Sequence, residues 1–145
     1  MTPMEFKSPD GAVSAVVVLR GKDRHPAPSE NRVEIYNRSG EILVVHDFSS
    51  PDGTHGHGVA TAQWTPDGQF FVFSLTSSGG YMSLYAPLVF WSRAKNHLYE
   101  LKGYTASQTY SVSPPDTVTL NTYPGMKDAA ISLATVRDSE VIELR

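Results

Sequence analysis

WTPDGQFFVFS, residues 64–74, decides how this chain is read. Thr-Pro-Asp-Gly is a reverse turn: proline presets the second turn position, aspartate bonds nearby backbone, and glycine accepts the left-handed conformation that other residues resist. The turn runs directly into QFFVFS, where four bulky apolar residues follow one another. A strand with one wet face alternates apolar and polar residues, whereas an unbroken apolar run requires burial on both faces. The stretch therefore predicts a strand sandwiched between neighbouring layers, entered through a tight turn.

The same turn recurs. SPDG at 8–11 precedes AVSAVVVL, and a degenerate SPPD at 113–116 precedes TVTLNT, so the copies start 57 and 48 residues apart. A second feature keeps step with it, an arginine-bearing hairpin: IYNRSGEILVV at 35–45, FWSRAKNHLYEL at 90–101 and ATVRDSEVIEL at 134–144. Two series in register predict a repeating unit of three copies, spanning about 1–49, 58–106 and 107–145 within one domain over 1–145. In each copy the proline turn joins the first two strands and the arginine turn the last two. A further SPDG at 50–53 leads into THGHG rather than a strand, and is expected to connect the first two units.

Helical signals are nearly absent, because ten prolines and eleven glycines interrupt every window before a 3.6-residue pattern develops. Short strands rich in Val, Ile, Leu, Thr and aromatics are expected at 12–20, 32–37, 41–46, 59–64, 69–75, 86–92, 97–102, 107–112, 117–122, 129–136 and 140–144. Four short strands per unit of this length is the signature of a β-propeller blade. The expected fold is therefore all-β, with about three four-stranded antiparallel blade-like repeats.

The pattern [ST]-P-D-G followed by an apolar strand, an aromatic-containing third strand and a polar hairpin resembles the WD40-like repeats of the TolB-family propeller domain. TPDGQFFVFS carries most of that resemblance. It implies a protein-binding platform or a propeller domain beside a hydrolase domain, and it transfers no active-site residue, since the motif is turn chemistry. Three blades are too few for a ring, which needs about four. Two chains completing a six-bladed ring, the same strands rearranged into a sandwich or barrel, or a piece of a longer array would each resolve this.

Composition narrows the function classes. A net charge of −3 with 19% charged residues supplies neither the basic face that nucleic acid requires nor a polybasic run for an anionic membrane. No apolar run is long enough to span a bilayer as a helix. With no cysteine, disulfides, thiolate catalysis and Cys-ligated zinc are excluded, and a soluble chain fits cytoplasm or periplasm equally. The opening MTPMEFKSPDG has neither a basic leader nor an apolar core, so no secretory signal is expected there. No G-x-S-x-G, P-loop, H-E-x-x-H or dinucleotide motif occurs.

Two segments carry candidate chemistry. In TSSGGYMSLYAPLVFW at 76–91, Tyr81, Met82, Leu84 and Tyr85 have the composition of a partner-binding hot spot, with self-association or a protein partner as the expected use. Tyr81, Tyr85 or Trp91 would equally serve carbohydrate stacking. In HDFSSPDGTHGHG at 46–58, His55 and His57 fall on one face of an extended chain, and with Asp47 or Asp52 they form a candidate site for a divalent metal. Without a cation the same loop is a glycine-rich connector with solvated histidines. A binding module is thus the expected function, and a small metal-dependent or hydrolase-like enzyme built on this loop, with Ser77 or Ser78 as nucleophile, is the alternative. The charged stretch RGKDRHPAPSENR at 20–32 is expected to be an exposed excursion, and Asn37 of Asn-Arg-Ser a turn residue rather than a glycosylation site.

Overall fold

The structure is a computed structural model and describes residues 4–20, 30–52, 56–77, 86–106 and 110–144. The described residues form three antiparallel sheets, none closed into a barrel. The first takes β1 (Met4–Lys7), β2 (Val13–Arg20), β3 (Glu30–Asn37) and β4 (Ile42–Asp47) in chain order. The middle sheet follows with β5 (His57–Trp64), β6 (Phe70–Ser77), β7 (Leu88–Ser92) and β8 (His97–Leu101). The third contains β9 (Tyr104–Thr105), β10 (Ser111–Ser113), β11 (Thr117–Thr122) and β12 (Asp128–Ser132). β9 and β10 share one edge of β11, since β12 pairs with 117–121 on the other. Among the described residues no helix is long and apolar enough to cross a membrane.

The middle sheet is buried on both faces, as the FFVF run requires. Phe71, Phe73 and Leu75 join Val89, Trp91 and Leu98 against Val13, Ala15, Val17, Val33 and Ile35 of the first sheet. The alternate residues Phe70 and Val72, with Leu88, Phe90 and Leu101, pack against Val118 and Leu120 of the third. Fully burying each such side chain contributes about 1.5–3 kcal/mol, so β6 serves two cores at once. Polar bridges fix the layers: Trp64 Nε1 donates to the Phe6 carbonyl at 2.7 Å, and Asn96 accepts from Trp91 Nε1 at 3.0 Å while donating to the Leu43 carbonyl at 3.1 Å.

The first two proline turns are the same object. Ser8 Oγ donates to Asp10 Oδ1 at 2.6 Å, as Thr65 Oγ1 does to Asp67 Oδ1 at 2.6 Å. The aspartate then accepts the amide two residues on, Ala12 or Gln69, and the hydroxyl accepts that of Val13 or Phe70. Gly11 and Gly68 close the turns at φ +72° and +71°. Four residues separate the paired ends, Ser8 with Val13 and Thr65 with Phe70. In the third turn Ser113 pairs with Thr117, leaving three, Pro114 to Asp116. One residue fewer reverses the phase of the next strand. Val118 and Leu120 therefore face the middle sheet, while Thr117, Thr119 and Asn121 face away.

Two expectations are corrected here. The third arginine segment, 134–144, is not the last hairpin of the third sheet. β12 ends at Ser132 because buried Asp116 accepts from Ser132 Oγ at 3.0 Å and the Ala134 amide at 2.7 Å, turning the chain into the 3-10 segment Leu133–Thr135. After a second 3-10 segment, Asp138–Glu140, the last strand, β13 (Val141–Leu144), pairs with β8 and becomes a fifth strand of the middle sheet. The expected excursion at 20–32 also ends early. Glu30 opens β3 and is 2% exposed, while Arg20 closes β2; 21–29 lie outside the described residues.

Candidate functional site

Tyr81, Met82, Leu84, Tyr85 and His55, together with Ser78, lie outside the described residues. Of the loop that carries the two tyrosines, the exit is anchored: the Ala86 amide donates to Thr105 Oγ1 at 2.7 Å, and the Pro87 carbonyl accepts from Leu75. Trp91 is corrected as a sugar-stacking candidate, since it is 1% exposed and its indole N–H is spent on Asn96. Asn37 is the turn residue expected, its Oδ1 accepting the Glu41 amide at 2.9 Å.

The connector between the first two sheets is organised by a carboxylate that sequence reasoning passed over. Glu30 accepts from the Ser50 amide at 2.7 Å, the Ser50 hydroxyl at 2.8 Å and the Gly56 amide at 2.6 Å. Gly56 is obligatory there, because a Cβ would lie 2.5 Å from the Phe48 carbonyl oxygen. Asp47 is paired with Arg20 at 3.3 Å and accepts the Ser49 amide; burial opposes its charge, but those partners prevail and hold its pKa low. Asp52 accepts from Ser50, and His57 stands on β5 with its amide donating to the Phe48 carbonyl. Burial pushes the His46 imidazole pKa down, against the opposing pull of Asp47, and the ring lies on Phe48 with centroids 4.5 Å apart. Among the described residues no three His, Asp or Glu side chains gather as a metal set.

Among the described residues, a cleft and an open sheet face have the geometry of binding sites. The cleft, of about 270 Å³, lies where the returning chain crosses from the third sheet to the middle one. Phe70, Phe90 and Tyr99 line it from the middle sheet, Leu133, Val136 and Val141 from the returning segment. Nothing in the notion of three equal hairpins foretells it, because its second wall exists only where β13 has left the third sheet.

The other is the open face of the first sheet, at one end of which a groove of about 520 Å³ is lined by Glu5, Lys7, Ser14, Val16, Tyr36 and Arg38. The residues of the face alternate with the core: Glu5 and Lys7 on β1, Ser14, Val16 and Val18 on β2, Arg32, Glu34 and Tyr36 on β3, Ile42, Val45 and Asp47 on β4. Ile42 is 57% exposed and Val45 45%. Beneath them Glu34 is 8% exposed, contacting Arg32 Nε at 2.7 Å and accepting from the Tyr36 hydroxyl at 2.6 Å. That hydrogen bond, with burial, raises the Tyr36 phenol pKa. The outermost face of the third sheet differs, for Thr119 and Asn121 are flanked there by Ser111, Ala130 and Asp128.

Comparison of the chain with family models finds no match, and comparison with curated proteins and with solved structures finds none either.

Proposed function

We propose that the chain is a non-catalytic interaction module of the propeller-repeat type, in keeping with its resemblance to TolB-type WD40-like repeats, and that the open face of its first sheet receives a further β-layer. One observation carries this. Ser14, Val16 and Val18 stand 57 positions before Phe71, Phe73 and Leu75, behind the same turn, and in the middle sheet that face is covered by a neighbouring sheet. The first sheet presents the equivalent face to solvent, with Val16, Val18, Ile42 and Val45 set among the charged Glu5, Lys7, Arg32 and Asp47. The occupant is a second copy, packing first sheet on first sheet about a two-fold axis; an isologous contact closes on itself and needs no other surface. A head-to-tail ring would instead seat this face on the polar outer face of the third sheet, which has the character of a terminal cap.

Solution mass tests the proposal. The expected result is twice the 15.9 kDa chain mass, reduced to the chain mass by Val45→Lys, an exposed position whose replacement leaves the fold intact. A chain that is monomeric at all concentrations removes self-association and leaves a different protein partner as the occupant.

A further inference from the structure

The cleft beside the Thr-Pro-Asp-Gly turn opens on the third-sheet side of the middle sheet, two layers from the open face of the first. Its floor is aromatic: Phe70 and Phe90 meet edge to face at 5.8 Å between centroids, and Phe90 and Tyr99 lie 5.6 Å apart. Its exposed rim bears two carboxylates, Asp67 and Asp138, and one ammonium, Lys95. Asp67 spends Oδ1 on the turn, accepting from Thr65 and Gln69. Among the described residues no hydrogen bond reaches its Oδ2, or either carboxylate oxygen of Asp138.

The cleft already holds one cation. Lys95 Nζ lies 5.6 Å from the centre of the Tyr99 ring, within the range where the face of an aromatic ring attracts positive charge. Burial raises the Tyr99 phenol pKa, and the negative charges of Glu143 and Asp138 raise it further, so the field along this wall is negative. At about 270 Å³ the space falls just below the roughly 300–1,000 Å³ of pockets for drug-sized ligands, and suits one long side chain or a small amine.

We propose that this cleft binds an organic cation, an ammonium or guanidinium head on an apolar stem, with the stem over Phe70, Phe90 and Tyr99 and the head at Asp67 and Asp138. The arrangement suits the physics of such ligands: the stem leaves water while the head stays at a wet rim, so the charge is paired without being buried. An anionic ligand would meet the surplus of negative charge, and a neutral one would leave both carboxylates unused.

Amide-resolved NMR titration of the full chain decides the matter, using phenethylammonium, its neutral isostere 2-phenylethanol, and a doubly capped lysine amide. Phenethylammonium is expected to shift the amides of Gln69, Ala134 and Val136 saturably, and 2-phenylethanol to bind about 5-fold more weakly or less. Asp138→Asn, which disturbs no hydrogen bond among the described residues, should weaken the ammonium by about 3- to 5-fold, and Lys95→Met should strengthen it by a similar factor by removing the competing charge. Saturable binding of the capped lysine identifies the source as a peptide side chain; binding of phenethylammonium alone identifies a free amine. Equal affinity for amine and alcohol, indifference to Asp138→Asn, or no saturable shift overturns the proposal. Val45→Lys should leave the titration unchanged, so failure here and failure of the dimer are told apart.

Discussion

Gly11 and Gly68 hold the same left-handed backbone in equivalent turns, yet they are not equally replaceable. A Cβ on Gly11 meets nothing within 4 Å, whereas one on Gly68 would sit 3.3 Å from Pro9 Cδ. The two turns therefore pack on each other through the second glycine. Gly11→Ala is expected to cost about 1 kcal/mol, the conformational penalty alone. Gly68→Ala should cost about 2 kcal/mol or more, since crowding is added, and chemical denaturation of the pair measures the difference.

Asp10 sits at the same junction. The Ser8 hydroxyl first, then the Ala12 amide and Arg93, lower its pKa from 3.8 to about 2. Arg93 reaches it from the middle sheet at 3.0 Å while also donating to the Gly68 carbonyl at 3.3 Å. Because the folded-state pKa is depressed, the stabilisation is complete above pH 3.8 and is lost as pH falls through about 2. The stability gap between the wild type and Asp10→Asn should accordingly be constant near neutrality and narrow below about pH 4; a gap that does not change with pH would remove Asp10 from this role.

At the scale of elements, the third proline turn is the telling one. Its loop has one residue fewer than the other two, and that alone presents Val118 and Leu120 to the core rather than Thr117 and Thr119. Inserting a glycine between Pro115 and Asp116 should restore the longer loop and turn both apolar residues outward. The expected loss is about 3–6 kcal/mol, the burial of one valine and one leucine, seen as early loss of amide protection in β11 and β12 while β6 and β7 stay protected. The last strand follows from the same sheet. Asp116, buried in that shortened turn, captures Ser132 and Ala134, so the chain leaves β12 and completes the free edge of β8 instead. That departure supplies the second wall of the aromatic cleft.

At the scale of the whole molecule, three sheets stack with the middle one between two cores. Much of this was legible in residues 64–74, since an apolar run with no polar alternation has only one kind of place to go. The strands of the first two sheets fall close to their expected limits, apart from β1, whose MEFK has too little β-branched or aromatic content to mark it. The candidate sites were less legible. Glu30 read as one charge in a charged loop, and its carboxylate matters only because Ser50 and Gly56 are brought to it from another segment. Phe70 lies in the run expected to be buried, Phe90 and Tyr99 in an expected hairpin, and the wall that faces them comes from residues more than thirty positions later in the chain.

The sequence by itself determined the local grammar of this protein: where the chain turns, which runs are strands, and that the central strand is covered on both sides. These follow from backbone preference and from the period of apolar residues, both of which act over a few neighbours. Only the tertiary structure decided which sheet receives the last strand, which face of the first sheet stays open, and where carboxylates meet an aromatic floor. Those outcomes depend on edges and surfaces left unpaired after the strands have formed, and such leftovers belong to the assembled chain rather than to any segment of it.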